Sequence, residues 1–285
     1  MNCTICKSEN TAVSFVKNKY QILHCADCDH LFTDLSITNA DVDVIYADSY
    51  FTGGGDGYDD YTVEKDMLIR RGEYYADKIS EFITPGKVLD IGSAAGFILK
   101  GFENKGWQGT GIEPNKSMAE YGKNDVGVNI IQGSFEFAAL EEKFDLIILI
   151  QVVAHLYDLN TSLNKIYDNL NPGGYVLIET WNKDSLTAKL LGKNWHEFCP
   201  PSTLNYFSKK TLKELFSQHN FALVAEGKPK KSIHSKHAKS LLKHKILQTP
   251  GFSWMAGITG LIPDNKLIPY PAEDLFWFLF KKSNN

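Results

Sequence analysis

Four cysteines stand in two pairs, Cys3-x2-Cys6 and Cys25-x2-Cys28, with eighteen residues between the pairs. A turn of this spacing can aim two thiolates at one ion, and two such turns close a tetrahedral all-sulfur site with no position left for water. A closed site of that kind is structural and suits Zn2+. Two disulfides or a redox pair would use the same residues, but a reducing compartment favours the metal. His24 and His30 read as neighbours of the cluster, since four thiolates already complete the coordination.

A second group lies in KVLDIGSAAGFILKGF, where Asp90, Gly92 and Gly96 follow a D-x-G-x-x-x-G order between an apolar strand and a helix. Glycines let a ligand approach the backbone, and the opening helix offers unpaired N–H groups. A dinucleotide fingerprint would carry glycine where Asp90 stands. The acid would repel a pyrophosphate and suits a cation; S-adenosylmethionine carries an ammonium and a sulfonium. Glu113 follows Gly92 by twenty-one residues, about the distance at which an acid accepts both ribose hydroxyls. The plain alternative, a turn that only packs tightly, explains the glycines but not Glu113.

These residues need elements to hold them. The 285 residues, 43% apolar and 22% charged, suit one large domain with a small appendage. The run TAVSFVKNKYQILH fits a hairpin carrying the second cysteine pair, so residues 1–34 read as a zinc ribbon. Residues 35–86 read as a connector with an acidic stretch, the glycine-rich YFTGGGDGYDDY and a helix over 62–82 ended by Pro85-Gly86. Strand-like runs then recur at 87–91, 109–112, 128–131, 144–150, 175–179 and 221–226, with a closing aromatic strand at 274–281. Their alternation with helical segments predicts an α/β fold with a mostly parallel sheet over 87–285. Within it, residues 227–270 form an insertion, expected to be helical, with a basic half (Lys228, Lys230, Lys231, Lys236, Lys239, Lys243, Lys245) and an apolar half.

From VLDIGSAAG and GIEPN through IQGSF, FDLIILIQVVAHL and LNPGGYVLIET, residues 87–180, the chain resembles the class I S-adenosylmethionine-dependent methyltransferases. The resemblance implies a Rossmann-like seven-stranded sheet. It implies that Asp90, Gly92, Ser93 and Gly96 hold the methionine end, and that Glu113, with Pro114 beside it, holds the ribose. Ser134, Gly133 and Phe135 would meet the adenine edge, although the family usually has Asp where Ser134 stands. Gln151 and Val152 would flank the cofactor.

Methyl transfer from a sulfonium is an in-line displacement, and a hydroxyl acceptor must also lose a proton. His155, just past the fourth strand, is the first candidate for that base, and a histidine that only packs there is the alternative. Glu179 and His196 are secondary candidates. After the fourth strand the chain reads Ile-Gln-Val-Val, not the Asn-Pro-Pro-Tyr-like tetrad of nucleic-acid amino methylation, and no cysteine there could serve base C5 chemistry. Cys199 reads as a buried thiol. The segment from Trp195 to Phe221 resembles bacterial methyltransferases of cell-surface sugar and natural-product pathways, a group that includes members with an N-terminal four-cysteine zinc module. The acceptor expected is therefore small or carrier-linked, a nucleotide-linked sugar or a polysaccharide or natural-product intermediate.

A net charge of −4 and only two arginines disfavour nucleic acid, although the lysine-rich insertion leaves an RNA methyltransferase as one alternative. The other is a non-catalytic cofactor-binding protein whose insertion makes peripheral contact with an anionic membrane. A helical cap over the acceptor, or a dimer arm, are the plainer readings of the insertion. The N-terminus lacks a signal-like pattern and no window reads as a transmembrane segment, so the expected location is cytoplasmic.

Overall fold

The computed structural model describes residues 1–36, 38–52, 61–234, 257, 260, 267–270 and 272–283. They fall into two compact units, residues 1–227 with 274–285 and residues 228–273.

At the amino end, Thr11–Lys17 (β1), Tyr20–Cys25 (β2) and Leu31–Thr33 (β3) form an antiparallel meander, turning at Asn18 and Lys19, both at positive φ. This is the expected hairpin. Helices α1 (Asn39–Ile45), α2 (Asp48–Thr52) and α3 (Lys65–Ile79) follow. Strands and helices then alternate: β4 (Lys87–Ile91), α4 (Phe97–Asn104), β5 (Gln108–Glu113), α5 (Lys116–Tyr121), β6 (Ile130–Gln132) and β7 (Phe144–Ile150). After them come α6 (Leu159–Asn169), β8 (Leu170–Trp181), α7 (Leu186–Leu191), β9 (Asn205–Tyr206), α8 (Lys209–Gln218) and β10 (Phe221–Gly227).

In the smaller unit β11 (Lys231–His234) pairs antiparallel with β12 (Leu267–Tyr270). Most of the insertion expected to be helical, and the glycines of the connector, lie outside the described residues. The chain ends on β13 (Leu275–Lys282).

The seven-stranded sheet has the order β10-β13-β8-β7-β4-β5-β6. Strands β4 to β8 run parallel, and β13 is antiparallel to both of its neighbours. The pleat sorts side chains to two faces. Along β13, Phe276, Phe278 and Phe280 enter one buried cluster with Leu89, Ile91, Ile147 and Leu149, while Trp277 and Leu279 enter the other with Val88, Leu146 and Ile148. Helices α6 and α8 cover the first face, and α3 and α4 the second.

Helix α3 meets α4 at Gly72 and Gly101, where a Cβ on Gly101 would touch the Ile69 carbonyl and stand 2.6 Å from the Glu73 nitrogen. No side chain fits between these two backbones.

The ribbon does not stand apart. Strand β3 pairs antiparallel with β9, giving a second sheet of order β1-β2-β3-β9, and Ile5, Leu23 and Phe32 share the first buried cluster with Phe207 and Leu212. The boundary expected at residue 34 therefore falls inside one compact unit. Among the described residues, no helix is long and apolar enough to cross a membrane.

Candidate active site and metal centre

The Sγ atoms of Cys3, Cys6, Cys25 and Cys28 all lie within 4.8 Å of one another. Cys3 stands 3.5 Å from Cys28, and Cys6 stands 3.5 Å from Cys25. Four thiolates about 2.3 Å from a tetrahedral zinc would stand roughly 3.8 Å apart, so the donor set fits the ion. All five cysteines are free thiols. Burial pushes the Cys3 thiol up to about 11 and the Cys28 thiol higher still. Against burial, the Cys28 and Asp27 amides instead lower the Cys25 thiol, and a bound cation would favour the thiolate form across the cluster. Cys199, expected to be buried, is half-buried, with its thiol on the His196 carbonyl at 2.7 Å.

The parallel strands reverse direction of progression between β4 and β7, and open α/β sheets bind ligands at the carboxyl ends beside such a switch point. Gly92 and Gly96 have φ of +66° and +73°. A Cβ on Gly92 would come within 2.8 Å of Val152 Cγ2, so the glycine turn and the end of β7 are in contact. The Gly92 and Ser93 amides both donate to the Ile112 carbonyl. Ser93 Oγ is buried and has no hydrogen-bond partner among the described residues, and it lies against β5, where a Cβ on Gly111 would stand 2.5 Å from it.

Glu113 closes this turn from the next strand. Its oxygens accept from the Ala94 amide at 2.7 Å and the Asn115 amide at 2.8 Å. A carboxylate offers about four acceptor positions, so two remain for a ligand. Burial pushes Glu113 up to about 7, against the pull of those two amides. Asp90 is raised well above the usual carboxylate range by burial and then by the Glu113 charge. Two buried acids in this state favour a cation and hydroxyl donors.

At the end of β6, the Ser134 hydroxyl donates to Glu136 at 2.6 Å, and Gly133 has φ of +144°. Glu136 therefore sets a carboxylate beside Ser134. Tyr157 lies near it, its phenol pushed up to about 12 by burial and by the Glu136 charge. The Phe135 ring turns instead into the core under Lys165 Nζ, 5.0 Å from its centroid, so only its backbone can face a ligand. Pro114 accepts from Gln132 through its carbonyl at 3.2 Å.

On the other side of the switch point, Gln151 has φ of +61° and its amide donates to the Glu179 carbonyl at 2.7 Å. The Glu179 carboxylate is fully buried and accepts from Arg71, from the Tyr75 hydroxyl, and from Gln151 Nε2 at 3.1 Å. One of the chain's two arginines is therefore committed to a buried ion pair. A carboxylate engaged on both oxygens is an anchor for α3 rather than a base.

His155 is half-buried, with Nδ1 2.6 Å from the Ser202 carbonyl. Tyr46 donates to the same carbonyl at 2.9 Å, its ring edge-on to the imidazole with centroids 6.1 Å apart. Burial holds His155 below the usual histidine value, while the Ser202 and Gln151 carbonyls pull the other way. His196 lies in the turn beyond α7, its ring 4.7 Å from that of Trp181 at the end of β8, with Glu197 at 3.4 Å and Asp274 at 3.9 Å.

Tyr46, Arg71 and Tyr75 escaped the sequence reading because the connector appeared to link domains rather than roof the sheet. Tyr46 also accepts from Asn115 Nδ2 at 2.9 Å, which ties α1 and α2 to the turn after β5. The unusual density of tyrosine there was the available signal.

Residues 67–226, more than half of the 285, match a family model described as a methyltransferase domain. The ubiquinone biosynthesis O-methyltransferase of Rickettsia typhi (strain ATCC VR-144 / Wilmington) is 26% identical over 121 residues, 40% of this chain and 49% of that protein. The protein of the same name from Bradyrhizobium sp. (strain ORS 278) is 27% identical over 165 residues, 51% of this chain and 65% of that one. The chain thus spans 49% and 65% of the length of these two curated relatives. Among solved structures, an S-adenosylmethionine-dependent methyltransferase from Archaeoglobus fulgidus is similar with a TM-score of 0.51 at 18% identity, covering 76% of this chain and 94% of that one. The YcgJ protein of Bacillus subtilis gives a TM-score of 0.51 at 17% identity, covering 76% and 100%. Family match, sheet order and glycine turn agree: the chain belongs to the methyltransferase-domain family and has the fold of the S-adenosylmethionine-dependent methyltransferases.

Proposed function

We propose that the chain methylates a hydroxyl of a small or carrier-linked acceptor, with a nucleotide-linked sugar or a cell-surface polysaccharide or natural-product intermediate as the first class to test. The observation that carries this is His155 at the carboxyl rim, where Nδ1 lies 2.6 Å from the Ser202 carbonyl and burial makes the ring harder to protonate, so that Nε2 is the nitrogen left to take a proton. The relatives are named O-methyltransferases, which favours oxygen as the acceptor atom. A hydroxylated aromatic ring is the second class to test.

S-adenosylmethionine supplies a methyl group activated by its sulfonium. Asp90 would hold the methionine ammonium, the backbone of the Gly92–Gly96 turn would pack against the methionine end, Glu113 would hold the ribose hydroxyls, and Glu136 with Ser134 the adenine amino edge. Gln151 and Val152 would wall the transfer site. His155 would accept the acceptor's proton at Nε2, and the resulting imidazolium is met by the Ser202 and Gln151 carbonyls. Glu179, Arg71 and Tyr75 would fix Gln151, while His196 would line the acceptor side with Trp181. Cys3, Cys6, Cys25 and Cys28 would hold Zn2+ as structure only, in the reducing cytoplasm.

Incubation with S-adenosylmethionine and panels of nucleotide sugars, hydroxylated rings and RNA, read by mass spectrometry, tests the acceptor class. Methylation of RNA alone would overturn the reading. With an acceptor in hand, His155→Ala is expected to lower kcat by about 10²–10⁴ while leaving cofactor affinity in place. The acid limb of kcat/KM in the wild type is expected below the ordinary histidine value of 6.5. A variant that keeps full kcat would remove His155 from the chemistry.

A second expectation concerns pH and needs no acceptor. Glu113 and Asp90 are harder to ionise in the folded chain than in the unfolded one, so the free protein loses stability as pH rises from 4.5 to about 7. The cofactor pairs with the ionised acids. Its affinity should therefore rise over the same window, with protons released on binding near pH 7. Calorimetry in buffers of different ionisation enthalpy reads that release directly; proton uptake would reverse the assignment.

A further inference from the structure

We infer that the cysteine cluster serves the acceptor site: by folding the ribbon it holds the segment 202–205, which sets the orientation and tautomer of His155, with Thr33 and Asn205 as positioning residues. The inference rests on the reading of His155 as the base, and concerns what keeps that ring in place.

Three consecutive residues around the base are gripped by this one segment. The Ala154 carbonyl accepts from the Leu204 amide at 3.0 Å, His155 Nδ1–H donates to the Ser202 carbonyl at 2.6 Å, and the Leu156 carbonyl accepts from Asn205 Nδ2 at 3.3 Å. The segment has little regular structure of its own, since β9 is only two residues long.

What holds the segment is the ribbon. The Thr33 amide donates to the Leu204 carbonyl at 2.8 Å, and the Thr33 hydroxyl to the Thr203 carbonyl at 3.0 Å. Asn205 Oδ1 accepts from Thr4 Oγ1 at 2.9 Å and lies 3.3 Å from His30 Nε2. The pairs Leu31↔Tyr206 and Phe32↔Asn205 complete the ladder. Thr4 stands between two of the cysteines, and His30 stands two residues beyond a third.

Ile5, Leu23 and Phe32 tie the ribbon to the main core, but Thr4 lies between two of the cysteines and β3 follows the fourth, so closing the cluster fixes where Thr4 and Thr33 stand. Asn205 faces both ways, taking two ribbon contacts on Oδ1 and giving Nδ2 to the residue after the base. The arrangement gives the ribbon work that requires no nucleic acid.

The test compares the zinc-loaded full chain before and after chelation. Hydrogen exchange is expected to quicken at least about tenfold at the Leu204 amide, and the slowly exchanging His155 Nδ1–H signal to disappear from the NMR spectrum, while the S-adenosylmethionine Kd moves less than about twofold. Free exchange of the Leu23 and Phe32 amides with Leu204 and His155 unchanged would overturn the inference.

A milder variant, Thr33→Val, retains the metal and deletes only the hydroxyl. It is expected to shift the His155 Nδ1–H signal and lower kcat without raising KM for the cofactor, with recovery in Thr33→Ser. An unmoved signal would count against positioning. Should S-adenosylmethionine fail to bind, or His155→Ala stay fully active, the functional reading would fall while the exchange result stood by itself.

Discussion

Glu113→Ala is expected to weaken S-adenosylmethionine binding by two to three orders of magnitude. The carboxylate holds the Ala94 and Asn115 amides and has acceptor capacity left for two ribose hydroxyls. A hydrogen bond to a charged group is worth about 1.5–3 kcal/mol, and losing two amounts to about 3–4 kcal/mol after water replaces part of the loss. The substitution also strips the buried Ala94 amide of its partner and loosens the turn through Gly92. Glu113→Gln keeps one acceptor oxygen and should fall between. Asp90→Ala should lose affinity on a similar scale through the methionine ammonium. Calorimetric titration of S-adenosylmethionine and S-adenosylhomocysteine reads all three variants. Unchanged affinity in Glu113→Ala, in a protein that still melts cooperatively, would show that the end of β5 does not touch the cofactor.

Gly101→Ala is expected to destabilise the fold by about 2–3 kcal/mol, against the usual direction for a helix interior. Glycine to alanine ordinarily gains about 1 kcal/mol in a helix. Here the added methyl would strike the Ile69 carbonyl and the Glu73 nitrogen, which are backbone atoms and cannot swing aside. Overpacking of that kind costs about 3 kcal/mol or more, so the clash wins. The melting temperature should fall by roughly 4–10 °C. Helix α3 also carries Arg71 and Tyr75, so pushing it from α4 should loosen their hold on Glu179 and weaken the order of Gln151. A midpoint equal to or above the wild type would mean that the helices part at no cost.

Much of the molecule could be read before its coordinates. All seven strands of the large sheet were visible because apolar runs and breakers alternate on a short scale, and local patterns carry local structure. The cysteine pairs and the Asp90, Gly92 and Glu113 constellation were visible because spacing is itself the signal. Tyr46, Arg71 and Tyr75 were not, because each reaches its partner across a distance in sequence that no periodicity encodes: Arg71 meets Glu179 over 108 residues. Glu136 was not singled out either, because its contact with the Ser134 hydroxyl lies in the loop after β6, where no periodicity marks it. The ribbon appeared independent because its union with the sheet rests on Asn205 and Tyr206, a strand too short to show alternation.

That union also sets an order of events during synthesis. Strand β3 lies within the first 34 residues, yet the strand that covers its edge ends at residue 206. For roughly 170 residues of elongation the nascent ribbon carries an open edge, which is a template for pairing with other chains. Metal acquired early would fold the hairpin while that edge is still bare, so the ribosome-bound chain has its greatest need of a chaperone just before Asn205 and Tyr206 emerge.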